Sequence, residues 1–292
     1  MKGIDIAKWN PVSDYKAVSE QVDFAVIKII NKQNSEDGLF STHLAGCRKH
    51  NIPLFGVYNY SYAETVEKAK TDANAVISTL KKHDLKTIVW MDVEENTIAQ
   101  KLGKKLADVI KAYKNTIEAA GYTFGVYTGL SYYNSFIRPY LNTIGNNTNF
   151  WIARYPISSA YTISMDPPAN KKPVVYGMMA WQYSSKGQIN GIKGNVDLDI
   201  TELSMAEWEA KIGGKVVVED DVDDILTPTL RKGDQNEYVR QWQERLNKNG
   251  YDCGKSGADG KFGSDTEKAV VRWQQDHGIE AGYIGPQTWN TI

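Results

Sequence analysis

Two spacings of apolar residues alternate through the first 200 residues of the chain. Short apolar runs rich in Val, Ile, Phe and Tyr fall at residues 2–7, 23–30, 53–60, 87–94 and 124–128. Runs of this length and composition predict buried strands. Between them, residues 42–50, 64–83 and 98–120 repeat their apolar positions at helical spacing. The second of these ends in Lys and His and the third is closed by Gly121, as helix C-termini favour. Strand–helix alternation of this kind predicts a parallel sheet. After residue 128 the pattern changes. Residues 131–140 read as a helix and 150–153, 176–183 and 196–200 as strands, with segments rich in Asn, Pro, Ser and Gly between the strands. The expectation is an α/β fold: a TIM-like barrel of five β/α units followed by three strands with little helix, because eight strands suffice to close a barrel. An open doubly wound sheet is the alternative. No Gly-rich phosphate loop follows the first strand, which counts against it.

The composition shifts after residue 212. Residues 213–228 hold one Lys and five acids beside a Gly-Gly pair and a Val run. Acid-rich stretches self-repel and stay extended, so this segment reads as a linker. Residues 229–292 contain a short repeat. Val239-Arg240-Gln241-Trp242-Gln243 recurs as Val270-Val271-Arg272-Trp273-Gln274, a V-x-x-W-Q pattern. Gly260 to Thr266 recurs as Gly282 to Thr288, a G-x-x-G-x-x-T pattern. Each G-x-x-G turn leads into a helix start, with Ser264 or Pro286 suited to the N-cap or first position. The expected organisation is a barrel over 1–212, an acidic linker over 213–228 and a small all-α module over 229–292. A module of this size has a barely sufficient core, so its repeated tryptophans are expected inside it.

With 41% hydrophobic residues, 17 Tyr and 8 Trp, the chain can build a core and has aromatics to spare. The net charge of −1 gives no reason to expect a nucleic-acid partner. The charge is unevenly spread, at +3 over 1–212, −4 over 213–228 and 0 over 229–292. A slightly basic first domain is compatible with an anionic polymer substrate. Cys47 and Cys253 fall in different segments, so no structural disulfide is expected, and they show no metal-ligand spacing. His43, His50, His83 and His277 form no zinc pattern and read as surface or helix residues. Neither a metal nor a cofactor is expected. No apolar run reaches the length of a membrane span. The opening MKGIDIAKWN lacks the apolar core of a secretion signal.

Pattern and chemistry meet in Ile88-Val89-Trp90-Met91-Asp92-Val93-Glu94-Glu95. The run ends in acid at a strand's carboxyl end, where α/β folds bind their ligands. In an extended strand Asp92 and Glu94 share a face, with Cα atoms roughly 6.5–7 Å apart. Burying two unpaired carboxylates is costly, so a purely structural role needs partners for both. Such a pair suits glycoside hydrolysis, in which one carboxyl protonates the leaving oxygen and the other stabilises positive charge on the sugar. The plainer reading is a strand end that meets solvent.

Six motifs in order widen this reading. They are Gly3-Ile4-Asp5-Ile6 with Trp9, Tyr58-Asn59-Tyr60, Trp90-Met91-Asp92-Val93-Glu94, Gly125-Val126-Tyr127-Thr128, Trp151-Ile152-Ala153-Arg154-Tyr155, and Ala180-Trp181-Gln182-Tyr183-Ser184 leading to Asn195-Val196-Asp197-Leu198-Asp199. Through them residues 1–203 resemble the muramidases of glycoside hydrolase family 25. The resemblance implies cleavage of the β-1,4 bond between N-acetylmuramic acid and N-acetylglucosamine in bacterial peptidoglycan. It implies Glu94 as proton donor, Asp92 as partner carboxylate, and Asp5 and Asp197 as the other cleft acids. Tyr58, Tyr60, Tyr127, Tyr155 and Trp181 fall at or near strand ends and are candidates for stacking on sugars, with about half expected to be ordinary core. Asp199 is in phase with Asp197 and is left out of the site, because a structural hydrogen-bonding role is equally open to it. One departure is Asn59, where members commonly carry His, and it is expected to alter sugar contacts in the cleft.

Asp259-Gly260-Lys261-Phe262-Gly263 and Gly285-Pro286-Gln287-Thr288-Trp289 resemble the three-helix peptidoglycan-binding domain of wall hydrolases. Catalytic domain, linker and wall module without a signal together resemble a bacteriophage endolysin. Such a protein is made in the host cytoplasm, inserts in no membrane and acts on the wall after release. Two other readings stay open: a wall-binding barrel without activity, against which the intact acids count, and a chitinase-like enzyme. Chitinases carry a longer acidic run, and Trp90 stands at one of its additional acid positions.

Overall fold

The computed structural model describes residues 1–156, 159–212, 230–279, 282–284 and 288. The chain divides into two compact units, Met1–Val216 and Val217–Ile292. The stretch read as a linker, 213–228, lies outside the described residues.

The first unit is built on nine strands: β1 (Lys2–Ile6), β2 (Phe24–Lys28), β3 (Leu54–Tyr60), β4 (Val89–Asp92), β5 (Phe124–Gly129), β6 (Asn149–Ala153), β7 (Tyr161–Thr162), β8 (Met178–Gln188) and β9 (Val196–Ile200). Strands β1 to β6 pair in sequence, β6 pairs with β8, β8 with β9, and β9 returns to β1. Eight strands thus close a barrel, and β7 adds to β8 outside the ring. Every ring pairing is parallel except those of β9, which runs antiparallel to both neighbours. The reversal follows from the connection. A parallel return needs a crossover of a dozen or more residues, and only 189–195 separate β8 from β9.

Helices Phe40–Lys49 and Val66–Lys82 lie where the spacing predicts them. The expected helix over 98–120 is two, Asn96–Leu102 and Lys105–Ala119, interrupted at Gly103 with φ 54°. The segment 131–140 is a series of short turns of α, π and 3-10 type rather than one helix. Helices Tyr15–Ser19, Leu141–Ile144 and Met205–Ile212 escape the pattern.

Strand alternation creates two cores. Outward residues such as Ile4, Ile27, Val57, Met91, Val126, Ile152 and Leu198 pack against the helices. Inward residues Phe24, Val26, Phe55, Trp90, Tyr127 and Trp151 fill the barrel together with Trp208. Because β9 runs backwards, it delivers the chain to the end where the parallel strands begin. Helix Met205–Ile212 then covers that end. The Trp208 ring stacks on Phe55 at 4.1 Å between centroids, and Phe55 on Phe24 at 4.2 Å. Above them Trp90 fits because its register partner on β5 is Gly125 and because Gly56 of β3 also leaves room for the indole. A Cβ on Gly56 or Gly125 would lie 2.3 or 2.2 Å from the indole. One end of the barrel is therefore filled with aromatics, and chemistry is confined to the other.

The second unit holds helices Glu237–Lys248 and Ser264–Asp276, with Trp242 and Trp273 buried edge to face at 5.4 Å. Its repeat has a hydrogen-bonding basis. The Gln243 amide donates to the Lys261 carbonyl and Thr266 Oγ1 and accepts from the Gly260 N–H. Gln274 does the same with Tyr283, Thr288 and Gly282. The Gln of each V-x-x-W-Q motif thus clamps the turn of a G-x-x-G-x-x-T motif, which satisfies a buried amide. Pro286 and most of the last helix-forming stretch lie outside the described residues.

Candidate active site

The open end of the barrel gathers acids from three strands. Asp5 of β1 and Asp197 of β9 are direct cross-strand partners, and Asp199 faces the same way two residues on. Asp92 ends β4, level with Tyr60 of β3 and Tyr127 of β5. Regular pairing continues for one residue more, with Val93 N–H donating to the Tyr127 carbonyl at 2.9 Å, and carries the chain up to Glu94. Asp5 and Asp92 are each 4% exposed and Asp199 is fully buried, whereas Glu94 and Asp197 are half-buried. Depth thus falls off from the floor of the site to its rim.

Three buried polar groups tie the floor together. Gln182 of β8 donates from Nε2 to Asp5 Oδ2 at 2.7 Å. Its Oε1 accepts from the Tyr127 hydroxyl at 2.7 Å and the Tyr155 hydroxyl at 2.6 Å. Two hydroxyl donors on one side fix the amide's orientation, so Asp5 always meets an N–H. Trp151 Nε1 donates to Asp199 Oδ1 at 2.8 Å. Asp92 Oδ1 is buried without a hydrogen-bond partner. At the rim, the Tyr60 hydroxyl donates to Glu95 Oε1 at 2.6 Å.

Crowding and burial set the protonation of these acids. Burial pushes Asp5 well above the ordinary carboxyl range, and the charges of Asp197 and Asp199 push it further. Burial raises Asp92 likewise, with Glu94, Asp197 and Glu95 adding to the effect and Lys28 opposing it. Glu94 is raised by burial, then by Asp197 and Glu95. Asp197 is pushed up to about 6 by burial. The site therefore holds carboxyls that keep protons at a pH where ordinary carboxyls have lost them.

The structure sorts the aromatic candidates. Tyr58 stands among the acids, its hydroxyl raised by burial and then by Asp5, Asp92 and Asp197. Tyr60 packs on Tyr62 at 4.8 Å between rings. Tyr155 is 48% exposed and presents a face to solvent while its hydroxyl is held by Gln182. Tyr127 is 7% exposed, packed on Trp151 at 4.3 Å beneath the acids. Trp181 is a correction. It precedes the inward Gln182, so alternation turns it outward, where it is 3% exposed and donates Nε1 to the Arg154 carbonyl. Its ring is not open to a sugar. Asn59 is a second correction. It lies between the inward Tyr58 and Tyr60, so it faces the helical layer and accepts from the Tyr113 hydroxyl. It makes no part of the cleft.

Three residues enter the site that sequence reasoning did not assign. Gln182 lay in a quoted motif, but a glutamine carries no spacing signal of its own. Trp9 follows β1 at the open end and is 75% exposed, with the Lys8 ammonium 4.5 Å over its ring. Lys28 was open to detection, because it follows the inward Phe24 and Val26 at the same phase of β2. A separate groove of about 670 Å³ runs between helices Val66–Lys82 and Lys105–Ala119, lined by Lys70, Lys81, Asp108 and Lys111. It holds none of the clustered carboxyls and lies on the flank, away from the cleft. Among the described residues no His, Cys, Asp and Glu cluster has the form of a metal site. None of the described helices is long and apolar enough to cross a membrane.

A closed eight-stranded barrel with clustered, proton-retaining carboxyls at one mouth is the build of a barrel glycoside hydrolase. Residues 4–192 match the model of the glycosyl hydrolases family 25, and this chain belongs to that family. Residues 235–292 match a putative peptidoglycan binding domain. Among curated relatives, the autolytic lysozyme of Clostridium acetobutylicum is 26% identical over 280 residues, which is 96% of this chain and 74% of that protein. A probable N-acetylmuramoyl-L-alanine amidase of Bacillus licheniformis is 43% identical over 60 residues, 20% of this chain and 17% of its own length. Among solved structures, the catalytic domain of an endolysin from a bacteriophage of Listeria monocytogenes is 26% identical and aligns with a TM-score of 0.59, covering 73% of this chain and 97% of that one. The protein is thus a lysozyme-family glycoside hydrolase with a peptidoglycan-binding module, and peptidoglycan is its substrate class.

Proposed function

We propose that the barrel hydrolyses the β-1,4 bond between N-acetylmuramic acid and N-acetylglucosamine, with Glu94 as the general acid. The supporting observation is Glu94 itself: a half-buried carboxyl just past the end of β4, whose hold on its proton is strengthened by burial and by the charges of Asp197 and Glu95. A group poised in this way donates its proton to the departing glycosidic oxygen. As that bond breaks, positive charge develops on the sugar, and Asp92 is the carboxylate placed to stabilise it. Water completes the hydrolysis. Asp197 strengthens the hold of Glu94 on its proton, and Asp5, held by Gln182, faces Asp197 across the β1–β9 pair. Tyr58, Tyr60 and Tyr155 offer faces to the sugars, and Tyr127 supports Gln182 from below. The proposed division of the chain is a catalytic barrel over 1–212, an acidic linker over 213–228 and a wall-binding module over 229–292.

The test is mass spectrometry of purified peptidoglycan digested by the whole chain. The expected products are muropeptides with N-acetylmuramic acid at the reducing end. Reducing-end N-acetylglucosamine, or cut peptide stems, would assign a different bond. An absence of released reducing sugar would make the barrel a binding protein, and turnover of chitin in place of wall would make it chitinase-like.

A further inference from the structure

Asp199 has no role in the proposed reaction, yet it shares the floor of the site with Asp5. Both are inward residues of the antiparallel pair β1–β9. Asp5 stands opposite Asp197, and Asp199 follows two residues on, the diagonal neighbour of Asp5 on the same face. Asp5 is almost buried and Asp199 fully so. Each has one oxygen held by an N–H donor. Gln182 Nε2 donates to Asp5 Oδ2 at 2.7 Å, and Trp151 Nε1 donates to Asp199 Oδ1 at 2.8 Å. The Gln182 amide is fixed in this sense by the two hydroxyls on its Oε1.

The second oxygen of Asp199, Oδ2, is buried and meets no donor among the described residues. Asp199 does lie within hydrogen-bonding reach of another carboxyl, that of Asp5. Two ionised carboxylates offer acceptors only, so contact between them is repulsive and leaves Oδ2 unpaired. One proton between them turns the same contact into a charge-assisted O–H···O hydrogen bond. The surroundings favour that proton. Asp197 of β9 faces the pair, and Tyr58 of β3, Tyr127 of β5, Tyr155 beyond β6 and Tyr183 of β8 sense its charge. Among the groups that act most strongly on the two carboxyls there is no cation. Burial raises both carboxyls well above the ordinary range, and the charge of Asp197 adds to the effect in each.

We propose that Asp5 and Asp199 hold one proton between them, as a carboxyl–carboxylate pair clamped at one oxygen each by Gln182 and Trp151, and that Asp199 thereby positions Asp5. The pair carries one negative charge in place of two, and the proton belongs to both members. It passes to solvent when the pair ionises fully at higher pH. Asp199 acts through Asp5 and is a positioning residue. The shared proton stands on the placement of the two acids. Its bearing on turnover rests on the reading of Asp5 as a cleft acid.

The test is infrared spectroscopy of the whole chain at neutral pH, wild type against Asp199→Asn and Asp5→Asn. A protonated carboxylic acid has a C=O stretch above the bands of a carboxylate. An amide at either position keeps the carboxyl's shape and supplies an N–H where the shared proton was. Each variant should therefore lose the same protonated-carboxyl band. Stability reports the same proton. Above the ordinary carboxyl value of 3.8 the unfolded chain releases it and the folded chain keeps it, so stability falls with rising pH until the pair itself ionises. Over that range the unfolding constant of Asp199→Asn should rise about tenfold less per pH unit than that of the wild type. Turnover separates positioning from folding. Asp199→Leu leaves the Trp151 N–H and Asp5 without their partner and should lower kcat on soluble wall oligosaccharides by about 10–100-fold. Asp199→Asn, which still donates to Asp5, should lose less. A band that survives in either amide variant overturns the proposal. So does a folded Asp199→Leu, as read by circular dichroism, that turns over no more slowly than Asp199→Asn. Should Asp199→Leu not fold, Asp199→Ala replaces it under the same outcomes. Glu94→Gln keeps the layers apart. It should retain the band that the other two variants lack, and a band lost there belongs to Glu94 and overturns the shared proton. If Glu94→Gln keeps both that band and turnover within a few-fold, the reading of Glu94 fails and the shared proton stands.

Discussion

Asp197 links the two groups of acids, since it faces Asp5 across the β1–β9 pair and raises Glu94 at the rim. Its own carboxyl is pushed up to about 6 by burial, against an ordinary value of 3.8. The folded protein therefore holds this proton over a range in which the unfolded chain has released it. The native state binds more protons there, so stability falls as pH rises from about 4 to about 6 and stays lower above it. Replacing Asp197 with Asn should flatten that slope and stabilise the fold at pH 7 by ~2 kcal/mol. It should also move the high-pH limb of activity to lower pH, because Glu94 loses the largest charge that keeps its proton. Thermal melts from pH 4 to 8, beside the pH–rate profile, check both; an unchanged melting slope would refute the assignment of that proton. Asp92 and Glu94 were legible in the sequence because acids at the end of an apolar run stand out against their neighbours. Gln182 was not, because its value lies in contacts with Asp5, Tyr127 and Tyr155, which come from three other parts of the chain. Trp181 was misread for a simpler reason: adjacent residues on a strand face opposite ways, and the inward partner was Gln182.

Among the elements, helix Met205–Ile212 carries a function out of proportion to its eight residues. Trp208 closes the barrel's inactive end by stacking on Phe55 and Phe24. Trp208→Ala should cost roughly 3–5 kcal/mol, the usual range for an aromatic removed from a packed core. Calorimetry of the whole chain should show a fall of about 2–4 °C in the barrel's Tm for each kcal/mol. A loss under about 1 kcal/mol would mean that the end is closed by something else. The first five strands were legible because buried parallel strands read as continuous apolar runs. The break at Gly103 was not, because Ile98, Leu102 and Leu106 keep helical spacing across it. Helix Met205–Ile212 was missed because it offers a single fully buried side chain, too few for a period to register. The reversal of β9 was implicit in the short connection before it.

At the scale of the whole molecule, the chain joins a hydrolase barrel to a module whose family binds peptidoglycan. If the module tethers the barrel to insoluble wall, its benefit is effective concentration, with no change in the chemistry. A chain cut to 1–212 should then lyse whole cells far more slowly than the intact protein and cleave soluble oligosaccharide at a similar rate. The 229–292 fragment should sediment with insoluble peptidoglycan. A fragment that folds and stays in the supernatant, with an aggregating 1–212 chain, would make the module a folding partner. The module's presence was legible through its repeat. What the repeat does was visible only in the structure, where the Gln at the same place in each half-repeat clamps a turn through its side-chain amide.

The most direct test of the account is the rate of reducing-sugar release from purified peptidoglycan by Glu94→Gln. An amide has nearly the shape of the carboxyl but no proton to give. The account predicts a loss of about 10²–10⁴-fold or more with an unchanged circular dichroism spectrum. Release within a few-fold of the wild-type rate, from a folded variant, would contradict it.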